Sequence, residues 1–224
     1  MKTALTLTTA RASRRSILPV CCMLPICAIL LGSLCTTAFG GEVLLTDYEN
    51  DQITAYSTTG TLITPSLISV SSPIFILVSG STLIVSNFEG TIGTYATSGA
   101  AIDPSIVTSA SRAYFSLAVV GSNLFATSYG DGTVEEFTTA GATVADPLLT
   151  EPNGPLGLAV VGSDLFIANY AGGTIDEYTT SGTLVTASLV TGLVNPGYMV
   201  AIGSDLSRIM ATTGLESTTF RVPR

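Results

Sequence analysis

The sequence predicts an all-β protein built from repeated four-stranded antiparallel sheets, and three observations support this prediction. Gly80, Gly121, Gly162 and Gly203 each precede a serine and a strand-like segment, at a constant interval of 41 residues. The chain is 46% hydrophobic and only 11% charged, and it is rich in Val, Ile, Thr, Tyr and Phe, which suit pleated sheets. Each unit contains four short apolar runs separated by turn residues. A repeat of about forty residues with four strands is typical of a β-propeller blade.

The unit that begins near residue 155 shows how the four strands are arranged. Its first strand is apolar, at 157–161, and its second runs over 164–170 and ends on an aromatic residue. The third strand carries Ile175 and Tyr178, and apolar residues at both parities indicate that both faces of the sheet are covered. A turn with a fixed glycine, which supplies the positive φ of a tight hairpin, leads to the fourth strand. The turn glycines are Gly60, Gly99, Gly141 and Gly182.

We therefore expect a propeller of four 41-residue repeats and a decayed fifth, with a closed ring and an incomplete propeller as the two alternatives. The expected blades are about 42–72, 73–113, 114–154 and 155–195, followed by a partial unit at 196–206 and a degenerate C-terminal tail at 207–224. On this prediction the first blade starts at its second strand and has no innermost strand of its own. The spare strand at 197–202 either pairs beside 42–48 and closes a four-bladed ring, or starts an incomplete fifth blade in an open arc. The open arc is the favoured alternative.

Residues 1–40 have the three parts of a secretory signal peptide. A basic region containing Lys2 and Arg15 precedes an apolar run at 17–34, and Ala38 and Gly40 are the small residues that a signal peptidase recognises. The alternative is an uncleaved membrane anchor, but two prolines interrupt the run. We expect cleavage after Gly40 and a protein that is secreted or located in the cell envelope.

The segment removed by this cleavage contains all four cysteines and four of the eight basic residues. The remaining chain has four arginines against 16 acidic residues, a net charge of −12, with neither lysine nor histidine. Such a charge disfavours nucleic acid and anionic membranes as partners. We expect a protein or carbohydrate ligand, with no membrane contact after cleavage.

The third and fourth units are nearly superimposable, with GSNLFATSYGDGTVEEFTTAGATV at 121–144 and GSDLFIANYAGGTIDEYTTSGTLV at 162–185. This pattern resembles the NHL-type repeats of bacterial β-propellers, a superfamily that includes streptogramin-lyase-like and gluconolactonase-like proteins. The resemblance covers about residues 42–206 and implies a ring that usually has about six blades. It also implies a divalent metal held by Glu, Asn and Asp in gluconolactonase-like members. Streptogramin lyases depend on a catalytic histidine, which this chain lacks.

The absence of histidine excludes Ser-His-Asp catalysis and histidine-ligated zinc. Carboxylate and amide chemistry remains, and Ca²⁺ takes oxygen ligands of this kind. The weak metal candidates, which repeat at equivalent positions, are Asp47, Asn87, Asn169, Glu136 and Glu177. The favoured alternative is structural, because Asp and Asn at strand ends bond the local backbone in turns. We therefore assign no catalytic residue and no cofactor, with Ca²⁺ as the one candidate.

Three hypotheses of function follow from these residues. The leading one is an exported binding or scaffold module without catalytic residues, and the chain is expected not to be an enzyme. The second is a lactonase-like or lyase-like enzyme that uses a carboxylate-bound metal. The third is a truncated fragment of a longer repeat protein. The repeated aromatic residues Tyr48, Phe88, Tyr129 and Tyr170 resemble a row for stacking sugars, but we expect them to form core between blades.

Overall fold

The computed structural model describes residues 36–39, 41–201, 208–213 and 216–221. Within these ranges the chain forms nineteen β-strands, which are arranged in five antiparallel sheets. The described part of the chain contains no helix long and apolar enough to cross a membrane. The all-β prediction is therefore confirmed.

Four of the sheets have four strands in sequence order, and the fifth has three. The first sheet contains β1 (Thr36–Phe39), β2 (Glu42–Asp47), β3 (Gln52–Ser57) and β4 (Leu62–Ser69). The second contains β5 (Pro73–Ser79), β6 (Thr82–Asn87), β7 (Thr91–Ala96) and β8 (Ala101–Thr108). The third contains β9 (Tyr114–Val120), β10 (Asn123–Ser128), β11 (Thr133–Thr138) and β12 (Thr143–Thr150). The fourth contains β13 (Pro155–Val161), β14 (Asp164–Asn169), β15 (Thr174–Thr179) and β16 (Leu184–Val190). The fifth contains β17 (Pro196–Ala201), β18 (Arg208–Thr213) and β19 (Glu216–Arg221).

The sheets are stacked as blades, and their innermost strands lie side by side in chain order. Strand β1 contacts β5, β5 contacts β9, β9 contacts β13, and β13 contacts β17. The apolar residues on both faces of each second and third strand fill the spaces between blades. Between the fourth and fifth blades, for example, Phe166 and Ile175 are fully buried in one cluster with Met199 of β17. Burial on both faces explains why these strands lack the alternation of a half-exposed sheet.

The turn glycines predicted from the repeat also serve contacts between blades. Gly141 has φ +87°, and a Cβ atom built on it would lie 2.0 Å from the carbonyl oxygen of Ile106 in β8 of the preceding blade. Gly99 approaches Leu67 of the first blade in the same way. At Gly60, in the first blade, a Cβ atom would meet nothing within 4 Å. The first blade therefore lacks the neighbour that the equivalent turns have in the second to fourth blades.

The full chain adds one strand at the inner edge of the first blade. Residues 36–39 form β1, which pairs with β2 from Thr36 opposite Leu45 to Phe39 opposite Glu42. These residues belong to the segment that we expect to be removed, so the absence of an innermost strand from the first blade of the cleaved chain remains a prediction. Cleavage after Gly40 itself remains a prediction.

The C-terminal part settles the choice between a closed ring and an open arc. Strand β17 pairs with β18, and β18 pairs with β19, in a sheet separate from that of β2, so the described part of 197–202 does not pair beside 42–48. Two strands therefore lie in the range expected to be a degenerate tail. The residues of the repeat have decayed there, but Ile, Thr and Phe still favour extended backbone. The incomplete fifth blade predicted from the sequence is confirmed, and the four-bladed ring is wrong.

Candidate functional site

One end of the stack of blades carries the turns between the second and third strands, and we call it the upper end. Its turns are 48–51, 88–90, 129–132 and 170–173. The links between blades, at 70–72, 109–113, 151–154 and 191–195, lie at the same end, because each innermost strand begins beside the end of a second strand. Pro73 opposite Asn87 shows this register. The upper end is thus formed by eight loops from all the blades.

A row of aromatic rings crosses the upper end from the first to the fourth blade. Tyr48 contacts Phe88 with ring centroids 6.1 Å apart, and Phe88 contacts Phe115 at 6.4 Å. Phe115 in turn contacts Tyr129 at 6.1 Å, and Tyr129 contacts Tyr170 at 5.9 Å. All four contacts are edge-to-face, a geometry that ring quadrupoles favour at these distances. The rings therefore form one continuous, ordered surface element.

The rings of the row differ in exposure, and Phe88 of the second blade is the most exposed of them. Tyr170 and Phe115 are buried, Tyr48 and Tyr129 are half-buried, and Phe88 is 44% exposed. The expectation that these residues form core between blades therefore holds for Tyr170 but not for Phe88. The turn that carries Phe88, 88–90, is one residue shorter than the equivalent turns of the first, third and fourth blades.

A second aromatic pair closes the axis of the stack just below this row. Phe75 of β5 and Tyr198 of β17 have ring centroids 5.6 Å apart, although they belong to the second and fifth blades. Ser116 and Gly157 occupy the equivalent positions of the third and fourth blades, as the strand registers show. A Cβ atom on Gly157 would lie 2.1 Å from the carbonyl oxygen of Gly197, so only glycine allows this approach. The small residues of the third and fourth blades thus leave room for the Phe75 ring of the second blade and the Tyr198 ring of the fifth.

Two carboxylates converge on the link between the first two blades. The backbone amide of Ser72 donates to Oδ1 of Asp51 at 2.7 Å, and the hydroxyl of Ser71 donates to Oε1 of Glu89 at 2.7 Å. The backbone amide of Phe88 donates to the carbonyl of Ser72 at 3.0 Å. The exposed Phe88 ring therefore stands beside a link that holds an acidic side chain on each side.

Between the second and third blades, Arg112 binds three carboxylates. Its Nε donates to Asp131 Oδ2 at 2.7 Å, its Nη1 donates to Asp146, and Nη1 lies 3.5 Å from Glu135 Oε1. Glu135 is fully buried, and the hydroxyl of Thr133 donates to it at 2.5 Å. Burial raises the pKa of Glu135, whereas the hydrogen bond from Thr133 and the positive charge of Arg112 oppose that rise. Burial also raises the pKa of the adjacent Tyr114 to about 12.

Between the third and fourth blades, a buried group of acids takes the equivalent place. Tyr178 donates its hydroxyl to Glu151, and Asn169 Nδ2 donates to Asp176 Oδ2 at 2.9 Å. Burial raises the pKa of Glu151, and the neighbouring Asp176 raises it further. Glu151 therefore holds its proton more firmly than an exposed carboxyl would. The hydrogen bond from Tyr178 to Glu151 joins the fourth blade to the link that precedes it.

The candidates Asp47 and Asn87 are occupied by their own turns. Asp47 accepts from the backbone amide of Asn50 at 3.2 Å and from its side-chain amide at 2.8 Å. Asn87 is buried and accepts from the backbone amide of Thr91 at 2.8 Å. Both side chains therefore bond the local backbone, as Asp and Asn do in turns.

The other three candidates lie in different places between blades. Asn169 is buried in the group around Asp176, and Glu136 is buried and accepts from Asn123 Nδ2 at 2.7 Å. Glu177 is half-buried on β15, opposite Phe166. Across residues 36–39, 41–201, 208–213 and 216–221, no three His, Cys, Asp or Glu side chains gather in a way that could hold a metal ion. The repeated positions thus do not form one metal site in this part of the chain.

Sequence reasoning did not single out the residues that give the upper end its character. Asp51 was missed because it does not repeat, and Glu89 because its position is acidic only in the first two blades. Phe75 and Tyr198 were missed because 123 positions separate them along the chain. A signal for Asp51 was nevertheless present, since Gly90, Gly132 and Gly173 end the same turn in the other three blades. A departure from a repeat is thus informative in its own right.

Comparison with solved structures decides the architecture. Virginiamycin B lyase from Staphylococcus aureus is similar over 84% of this chain and 69% of its own, with a TM-score of 0.62 and 16% identity. Regucalcin, a calcium-binding protein from Agrobacterium tumefaciens, is similar over 81% of this chain and 68% of its own, with a TM-score of 0.60 and 12% identity. The chain is a β-propeller. Its resemblance to NHL-type propellers is confirmed at the level of the fold.

Two further matches complete the comparison. A nidogen/laminin complex is similar over 81% of the propeller and 76% of the matched chain, with a TM-score of 0.64 and 17% identity. The computationally designed Ika8 protein has a TM-score of 0.56 and 13% identity, and the propeller covers only 57% of its length. No protein-family model matches the chain, and no curated protein matches it. These identities relate the propeller to the others by fold alone.

Proposed function

We propose that the chain is an exported β-propeller that acts as a binding module, with the aromatic row of the upper end as its binding face. The observation that carries this proposal is the exposed Phe88 ring within a fixed row of edge-to-face contacts. An aromatic ring that is 44% exposed and held by neighbours on both sides is preorganised for contact with a ligand. Aromatic side chains are enriched in protein interfaces, where a few of them supply much of the binding energy.

The site supports binding better than catalysis. The innermost strands read PIFILVS, YFSLAVV and PLGLAVV in the second to fourth blades, so they bring no acid or base to the axis. The Phe75 and Tyr198 rings, which come from the innermost strands of the second and fifth blades, add further apolar groups there. A catalytically inactive form of virginiamycin B lyase, with quinupristin, carries alanine in place of a histidine, and this chain contains no histidine.

The ligand classes compatible with this proposal are proteins and carbohydrates, since both are bound through exposed aromatic side chains. The similar fold in a nidogen/laminin complex is an instance of a propeller within a protein assembly. The acidic balance of the chain disfavours nucleic acid. The proposal requires no metal and no other cofactor.

The binding face is tested with saturation-transfer NMR on three small probes, namely choline, benzyl alcohol and cellobiose. We expect at least one probe to receive saturation from the protein and to lose most of it in Phe88→Ala. Ile102→Ala is the matched control, because Ile102 is an exposed apolar residue (61%) on an outermost strand, away from the upper end. Absence of transfer for all three probes, or equal transfer in Phe88→Ala, would overturn the proposal. Metal-stimulated lactone hydrolysis that Glu177→Gln abolishes would favour the enzyme hypothesis instead.

Export is tested by the mass of the protein recovered outside the cytoplasm. Cleavage after Gly40 leaves 184 of the 224 residues, without cysteine. A recovered chain that still contains Cys35 would contradict this site of cleavage. Such a result would leave β1 in place beside β2.

A further inference from the structure

The upper end is not equivalent in all blades, and the first blade departs from the repeat at Asp51. Gly90, Gly132 and Gly173 end the corresponding turns of the second to fourth blades with φ of +84°, +69° and +64°. Asp51 has φ +55° at the same position. This left-handed conformation is favourable for glycine and unfavourable for a residue with a Cβ atom. An exposed acid is therefore retained where the repeat and the backbone both favour glycine.

Asp51 belongs to a compact group that occurs once in the described propeller. Ser71 and Ser72 form the link between the first two blades, and they hold Glu89 and Asp51 through hydrogen bonds of 2.7 Å each. The backbone of Phe88 is bonded to the same link at 3.0 Å, and the Phe88 ring contacts Tyr48 at 6.1 Å. Gly130 and Ala171 stand where Glu49 and Glu89 stand in the first two blades. The combination of exposed carboxylates and exposed ring is thus specific to this junction.

The charge around this junction is of one sign. Residues 41–111 contain six acidic residues and no basic residue. Four of the six lie at or beside the upper turns of the first two blades, and they are Asp47, Glu49, Asp51 and Glu89. Arg112, the first basic residue after this range, has its guanidinium engaged by Asp131, Asp146 and Glu135. Within residues 41–111 no cationic side chain competes for the acids of the junction, which therefore attract cations.

We propose that the Tyr48–Phe88 junction binds the alkylammonium group of a small organic cation. This inference rests on the proposed function and names the ligand class of the same face. An ammonium carried on an aliphatic body is attracted to the face of an aromatic ring, and nearby carboxylates add Coulomb attraction. The exposed Phe88 ring supplies the first contribution, and Asp51 and Glu89, which are hydrogen-bonded to the link beside Phe88, supply the second. Two rings and two carboxylates match one small headgroup better than a peptide segment.

The test compares choline with 3,3-dimethyl-1-butanol, which has the same shape and no charge. Titrations followed by the NMR shift of the methyl protons give both dissociation constants at low ionic strength. We expect choline to bind about fivefold more tightly than the alcohol or better. We also expect choline binding to weaken several-fold at about 0.15 M salt, because the junction is exposed to solvent.

Variants separate the contributions and provide the controls. Phe88→Ala and the pair Asp51→Gly with Glu89→Ala should each weaken choline binding about threefold to tenfold. Glu42→Gln removes one negative charge at the opposite end of β2 and should leave binding unchanged within about a factor of 1.5. Asp51→Gly restores the residue of the other blades, so the thermal midpoint should not fall although binding does. If the role of Asp51 were purely structural, Asp51→Gly would lower the thermal midpoint and leave choline binding unchanged.

The outcomes distinguish the inference from the proposed function. Equal affinity for choline and the neutral alcohol, both lost in Phe88→Ala, would leave the binding face intact and overturn the cation site. Binding of a tetralysine peptide more than about tenfold tighter than choline, lost in the same variants, would overturn the small-molecule assignment. Absence of binding by every probe would overturn both proposals. Choline-selective binding that Asp51→Gly and Phe88→Ala weaken would support both.

Discussion

Arg112 is the charged residue whose replacement we expect to lower the stability of the protein most. It faces Glu135, which is fully buried, and two further acids at the surface. A buried ion pair adds little net stability, but loss of one partner leaves a buried charge without compensation. The energetic role of Arg112 is therefore best revealed by comparing single and double replacements.

We predict that Arg112→Leu lowers the free energy of unfolding by about 2–4 kcal/mol, because Glu135 then loses its cation. Glu135→Leu added to that variant should recover most of the loss, since the uncompensated carboxyl is gone. Urea denaturation of the two variants and the parent chain provides the measurement. Equal stability of the single and double variants would contradict this account of the pair.

A second residue-scale prediction concerns Glu151 and pH. Burial raises the pKa of Glu151, and its neighbours are Asp176, Asn169 and Tyr178. A carboxyl with a raised pKa in the folded state binds its proton more tightly there than in the unfolded chain, so stability falls as pH rises through that pKa. Burial raises the pKa of Glu135 and Glu136 as well. We therefore expect the protein to gain stability between about pH 8 and pH 5.

Glu151→Gln isolates the contribution of this one residue. The variant should unfold about 2–4 °C higher than the parent chain at pH 8, and its midpoint should depend less on pH. Glu49→Gln, at an exposed carboxyl, is the matched control and should follow the parent curve. A pH profile that is the same in all three proteins would show that Glu151 does not titrate in this range.

At the scale of elements, the same turn occurs in the first four blades, but only three of them have a preceding blade to pack against. The difference between Gly60 and Gly141 measures that packing. Both have positive φ, at +84° and +87°, but only at Gly141 would a Cβ atom meet another blade. The two positions therefore share the backbone conformation and differ in their surroundings.

We predict that Gly60→Ala costs about 1 kcal/mol of unfolding free energy, which is the strain of alanine in the left-handed region. Gly141→Ala should cost at least about 2 kcal/mol more, because the Cβ atom would lie 2.0 Å from the carbonyl oxygen of Ile106 and the blades must separate. Chemical denaturation of both variants gives the difference. Equal decreases of the unfolding free energy in the two variants would mean that the third blade shifts at this turn without loss of stability.

The elements themselves were largely predictable from the sequence, since every unit repeats the same strand and turn signals. Strands β5 to β16 lie where the 41-residue period places them. Strand β1 was not predicted, because residues 36–39 also fit the end of a signal peptide. The contact of Phe75 with Tyr198 was not predictable either, since it depends on the curvature that three blade interfaces produce together. The acids around Arg112 come from three separate elements, so no local pattern joins them.

At the scale of the whole molecule, the described propeller is an arc with an uncovered first blade. Val43, Leu45 and Tyr56 on the outer face of that blade are half-buried. Their equivalents in the second blade, Leu83, Val85 and Tyr95, are 0%, 1% and 5% exposed. In the described residues no contact between β17 and β1 or β2 is as extensive as those that join consecutive innermost strands. The first blade is consequently the less stable end of the arc.

The fifth blade covers the other end of the arc, and its removal is the sharpest test of the architecture. Met199 of β17 is 6% exposed and packs with Phe166 and Ile175, so β17 completes the core of the fourth blade. Deletion of 203–224 removes β18 and β19, which leaves β17 with an unpaired edge. Exposed strand edges promote aggregation. We predict that this deletion lowers the thermal midpoint by about 5 °C or more and increases light scattering, whereas deletion of 222–224 alone has neither effect. If the longer deletion left the midpoint unchanged and the amides of 197–201 still exchanged slowly, the fifth blade would not be needed to cover the fourth.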